Sequence, residues 1–85
     1  MSKVREIFET KDIFKFLESR NLVKQYKKAK SYLLEGRILT VRFKERNPKG
    51  SGIWYFRINQ QYRAYGIFNA NGDLVVYEIN DHQNW

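Results

Sequence analysis

The chain has 85 residues, no cysteine, 42% hydrophobic and 16% aromatic residues, and a net charge of +7. That bounds it to one domain whose core comes from apolar packing, with neither a disulfide nor a thiolate metal site to help. The aromatic content argues against disorder, no run reaches membrane-spanning length, and the start Met1-Ser2-Lys3-Val4-Arg5 lacks the apolar stretch of a signal peptide, so a cytoplasmic protein is expected.

In chain order, residues 4–9 read as a short strand. Thr10 is placed to cap a helix whose first turn holds Asp12, and Ile13, Phe14, Phe16 and Leu17 give that helix a broad apolar face. Arg20-Asn21 breaks it, and Asn21 can cap the next. In that second helix Leu22, Tyr26, Ala29 and Leu33 form one stripe at the helical period, while Lys24, Lys27, Lys28 and Lys30 take the other faces. Gly36 is a natural stop one residue past its end.

From Ile38 the period changes. Leu39, Val41 and Phe43 alternate with Thr40, Arg42 and Lys44, the pattern of a strand with one wet face. The stretch 45–52, with the single proline Pro48, reads as a loop. Residues 53–59 read as a strand, Gln60-Gln61 as a turn, residues 62–68 as a strand, Asn71-Gly72 as a hairpin turn, and residues 74–79 as the last strand. The order β-α-α-β-β-β-β predicts one α+β domain over residues 1–85: an N-terminal two-helix hairpin packed on a largely antiparallel sheet.

Charge is uneven along this frame. Residues 1–19 are balanced, residues 20–63 carry twelve Lys and Arg against Glu35 and Glu45, and residues 64–85 carry three acids and no Lys or Arg. Such a cationic middle attracts phosphate by counterion release and favours a nucleic-acid partner; a solvated surface or an acidic protein partner is the other reading. Gly50-Ser51-Gly52 lacks the strand–loop–helix context of a phosphate loop, and a single histidine without cysteine leaves little for a transition metal, so no metal or cofactor is expected.

The residues able to carry chemistry fall in three groups. Arg42, Lys44, Arg46 and Lys49 form a basic strand-to-loop stretch, in which Arg42 and Lys44 share a strand parity. The same four read equally as a solvated face guarding a sheet edge. Arg57 and Arg63 flank a tight turn among aromatic residues, with Arg57 equally readable as a cross-strand ion pair for Glu78. His82, the only imidazole, follows the last strand, and Trp85 either covers a core edge or stacks on a base.

The run from Gly52 to Tyr65, Gly-Ile-Trp-Tyr-Phe-Arg-Ile-Asn-Gln-Gln-Tyr-Arg-Ala-Tyr, resembles the central hairpin of the RelE/ParE toxin superfamily, and Glu78-Ile79-Asn80-Asp81-His82 resembles that family's last strand. The YoeB-like and HigB-like branches are the nearest in pattern. The resemblance implies a RelE-like fold and a cytoplasmic toxin of a type II toxin–antitoxin pair, which cleaves mRNA on the ribosome and is held by a small acidic antitoxin; the ParE branch inhibits DNA gyrase instead. Carried over by residue, Arg63 matches the arginine that contacts the scissile phosphate and His82 the general acid. Lys44, Glu45 and Arg46 fall where a further catalytic residue is expected. Arg42, Arg46, Lys49, Arg57 and Trp85 would bind the RNA. Gln83 departs from the pattern, since an aromatic commonly follows the histidine. The implied reaction is metal-free attack of a 2′-hydroxyl on the adjacent phosphorus, with Glu45 or a lysine of lowered pKa as base. The alternative is a non-nucleolytic gyrase inhibitor or a basic nucleic-acid or protein-binding module.

Overall fold

The helical stripe read from Leu22 to Leu33 and the apolar face of the preceding helix are both drawn onto one face of a five-stranded sheet. The computed structural model describes residues 4–81. Its elements are β1 (Ile7–Glu9), α1 (Ile13–Ser19), α2 (Val23–Leu34), β2 (Lys44–Glu45), β3 (Ile53–Arg57), β4 (Tyr62–Phe68) and β5 (Leu74–Asp81). The strand order is β1-β5-β4-β3-β2. β1 runs parallel to β5 and every other neighbouring pair is antiparallel. Leu17 of α1, Tyr26 and Leu33 of α2, and Phe56, Ala64, Leu74 and Val76 of the sheet are fully buried where the layers meet. The predicted α+β class and its element types hold, with one strand much reduced.

That strand is the one read over residues 38–44, of which only Lys44–Glu45 pairs. Residues 38–42 form turns. The Phe43 amide donates to the Ile38 carbonyl, and Arg42 adopts a left-handed φ of +52°. Val41 is buried, and its carbonyl accepts from the Arg57 amide, while Leu39 is 88% exposed. The apolar alternation was real in sequence, but its members serve different purposes: one residue plugs the core and another stands in solvent.

Helix ends also differ from expectation. The N-caps are Asp12 and Leu22, and neither helix start has a side-chain cap. Asn21 ends α1 instead of starting α2. At φ +59° it lets its own amide reach the Glu18 carbonyl and the Leu22 amide reach Leu17, the Schellman arrangement that asparagine tolerates better than most residues. Gly36 does the same for α2 at φ +83°, as predicted.

β3 stops at Arg57, two residues early, because the Asn59 side-chain oxygen accepts from the amides of Gln61 and Tyr62 and curls the chain. β4 has the predicted bounds. β5 runs to Asp81, and its pairing with β4 is interrupted: Tyr65 faces Glu78 but Gly66 faces Val76, so Tyr77 is an extra residue in a bulge. A Cβ on Gly66 would lie 2.7 Å from the Val75 carbonyl oxygen, so only glycine fits beside the bulge as it stands.

Candidate functional site

Strand parity sorts the sheet into a helix-covered face and a helix-free one, and register then aligns the free face into rows. One row runs Lys44, Tyr55, Tyr65, Glu78 across four strands. The next runs Arg57, Arg63, Asn80. A third, toward the opposite end of the sheet, runs Ile53, Ile67, Val75, Phe8.

At the cationic end lies a cavity of about 420 Å³, whose walls include Arg42, Lys44, Arg57 and Arg63 over the Tyr55 ring. The Arg63 guanidinium carbon sits 4.6 Å from the Tyr55 ring centroid. The Tyr55 and Tyr65 rings are 5.6 Å apart, and the Arg46 guanidinium lies over Tyr65 at 5.7 Å. These tyrosines are buried although no helix lies on this face. Stacked guanidinium groups cover aromatic rings favourably and hold the cations in place.

Two features make the cavity cationic and leave its charge uncompensated. No carboxylate lines it, and among the described residues none pairs with Arg42, Lys44, Arg57 or Arg63. Arg57 and Arg63 are directly opposed in register, an arrangement in which like charges repel. In addition, the Arg57 Nε and the Tyr65 hydroxyl are buried with no hydrogen-bond partner among the described residues. A buried polar group left unpaired costs about 1–3 kcal/mol. A smaller cavity of about 250 Å³ on the α2 side, floored by Ala29, Val41 and Ile58, has only Lys28 and Arg57 as cations.

The structure brings together Arg42, Lys44, Arg57 and Arg63, and sets Arg46 beside them over Tyr65. Arg42 arrives there on a turn and not, as its parity suggested, on the strand that carries Lys44. Glu45 is not part of the group. Its register partner is Trp54, on the helix-covered face, and its Oε2 accepts from the Gly52 amide at 3.0 Å, which closes the 46–52 connection. Lys49 is exposed in that connection and does not line the cavity. Arg57 forms no ion pair with Glu78, which instead accepts from the Asn80 side-chain amide at 2.9 Å. His82 and Trp85 lie outside the described residues.

Three members of the face were not singled out from sequence: Tyr55, Tyr65 and, as a reactive group, Glu78. The shared parity of Tyr55 with Arg57 and of Tyr65 with Arg63 was the signal available for the first two. Glu78 carried none, because the alternation along β5 breaks at Tyr77.

Compared with known proteins, the chain matches no family model and no curated protein sequence. Among the described residues, no helix is long and apolar enough to cross a membrane.

Proposed function

We propose that the chain is a RelE-like endoribonuclease toxin of the RelE/ParE superfamily, acting in the cytoplasm on ribosome-bound mRNA and neutralised by a small acidic antitoxin. The observation that carries the reading is the opposed pair Arg57 and Arg63, walled by Lys44 and Arg42 and lacking any carboxylate counterion among the described residues.

In the reaction, the substrate 2′-hydroxyl attacks the neighbouring phosphorus. Arg63, held flat over Tyr55, stabilises the charge that gathers on the phosphoryl oxygens, and Lys44 and Arg57 close round the same anion. Arg42 and Arg46 hold the flanking backbone, with Lys49 and Trp85 as outer RNA contacts. His82, two residues beyond the Asn80 that pairs with Arg63, serves as general acid for the departing 5′-oxygen. The anion-binding groups and the acid are all side chains, in keeping with a metal-free reaction.

The test is cleavage of ribosome-bound message by Arg63→Ala and His82→Gln. Each is expected to lose about 10²–10⁴-fold in rate with thermal unfolding unchanged. Parent-rate cleavage by both variants rules the site out.

A second reading, a ParE-like gyrase inhibitor or a basic binding module, is favoured by the row Phe8, Val75, Ile67, Ile53, where Phe8 and Ile67 are half exposed on an uncovered sheet face. Induction of the protein separates the two, since message cleavage marks the first and gyrase-linked DNA damage without cleavage marks the second.

A further inference from the structure

We infer that Glu78 is the general base of this cleavage, taking the proton from the attacking 2′-hydroxyl; the inference rests on the endoribonuclease reading above. A cradle of cations alone binds phosphate but does not remove a proton, so the reaction needs a base on the same face. Within β2 to β5 that face carries one carboxylate. Glu45 and Asp81 pair with Trp54 and Tyr62 on the helix-covered side, whereas Glu78 pairs with Tyr65.

Glu78 reaches this face only because of the bulge at Tyr77. Leu74, Val76 and Ile79 are all buried under the helices, so strict alternation from Leu74 and Val76 would have put residue 78 in the core. The extra residue shifts the phase and turns the carboxylate outward, as bulges beside functional sites commonly do. The site is also oriented. The Asn80 side-chain amide donates to Glu78 Oε2 at 2.9 Å, and Asn80 is the register partner of Arg63, so one asparagine stands between the acid and the phosphate-binding guanidinium.

Glu78 and Arg63 are diagonal neighbours on the free face of β4 and β5, a relation that separates side-chain bases by about 7 Å. The 2′-oxygen forms its bond to phosphorus as its proton passes to the Glu78 carboxylate. The bond from phosphorus to the 5′-oxygen breaks, and that oxygen takes a proton from the general acid. The products are a 2′,3′-cyclic phosphate and a 5′-hydroxyl.

The experiment is single-turnover cleavage of ribosome-bound message by the full chain, with RNA affinity and thermal unfolding measured alongside. Glu78→Gln is expected to lose about 10²–10⁴-fold in rate while binding and unfolding stay at parent values. Glu78→Ala is expected to regain rate on addition of acetate, a small carboxylate able to occupy the vacated space. A Glu78→Gln variant at the parent rate overturns the assignment, and so does a loss in Glu78→Ala that acetate fails to restore. A parent that cleaves while Glu78→Gln matches it leaves the nuclease reading standing; a parent that cleaves no RNA overturns both.

Discussion

Arg57 and Arg63 face each other directly across the β3–β4 hairpin, on the side of the sheet that no helix covers. Like charges opposed in this way destabilise a hairpin, and here the Arg57 Nε is also buried without a partner among the described residues. An anion bound as proposed, against both guanidinium groups, would offset that repulsion.

Arg57→Met should for that reason stabilise the isolated protein, by about 0.5–1 kcal/mol in urea unfolding, while weakening RNA binding. The plot of log affinity against log salt should lose about one unit of slope, as expected for one phosphate contact removed. A variant that is less stable than the parent and keeps the full salt slope would show that Arg57 serves packing and not the ligand.

Tyr26 gives a prediction in pH. Burial, and then the hydrogen bond and negative charge of Glu9, push its hydroxyl far above the ordinary tyrosine value. The hydroxyl donates to Glu9 Oε2 at 2.7 Å, and Lys30 binds the same oxygen at 2.8 Å, which ties β1 to α2. A group whose pKa is raised by folding contributes its stability below the unfolded value and loses it as pH rises. Stability should hold up to about pH 10 and then fall by as much as about 1.4 kcal/mol per pH unit through this group. Tyr26→Phe should lack that alkaline component and lose about 1.5–3 kcal/mol at neutral pH, the worth of a hydrogen bond to a charged acceptor. Urea unfolding of both proteins at neutral and alkaline pH provides the comparison.

Gly66→Ala tests the bulge. The added methyl would meet the Val75 carbonyl oxygen at 2.7 Å, and backbone cannot yield as a side-chain tip can. The expected loss is about 1–3 kcal/mol in chemical unfolding. Because relief of the clash has to come from the β4–β5 register, RNA cleavage should fall further than the stability change accounts for. Unchanged cleavage in a destabilised but folded variant would separate the bulge from the chemistry.

Local rules made much of the fold legible. Gly36 closes α2 where only a left-handed residue fits, and β4 has the bounds that its composition and flanking turns implied. They misled where a long-range contact decided the outcome. The alternation at Leu39, Val41 and Phe43 is strand-like, yet the Val41 carbonyl spends its hydrogen bond on the Arg57 amide, far along the chain, and the segment folds into turns. The site divides the same way. Arg57 and Arg63 were readable because a short turn fixes their opposition. Tyr55 and Tyr65 were not singled out, since the guanidinium cover that accompanies their burial is a tertiary contact. Glu78 was hidden because a count by twos along β5 fails at Tyr77, and nothing in the sequence of that strand announces an extra residue.

That break in phase gives β5 two separable halves. Leu74 and Val76 answer to the helices, so their shapes are fixed by close packing. Past Tyr77 the outward positions 78 and 80 are released from that demand without the strand leaving the sheet. Side chains can therefore be exchanged at those two positions while the interior stays untouched: a hinge of register, one residue long, insulates the changeable part of the strand from the part that holds the protein folded.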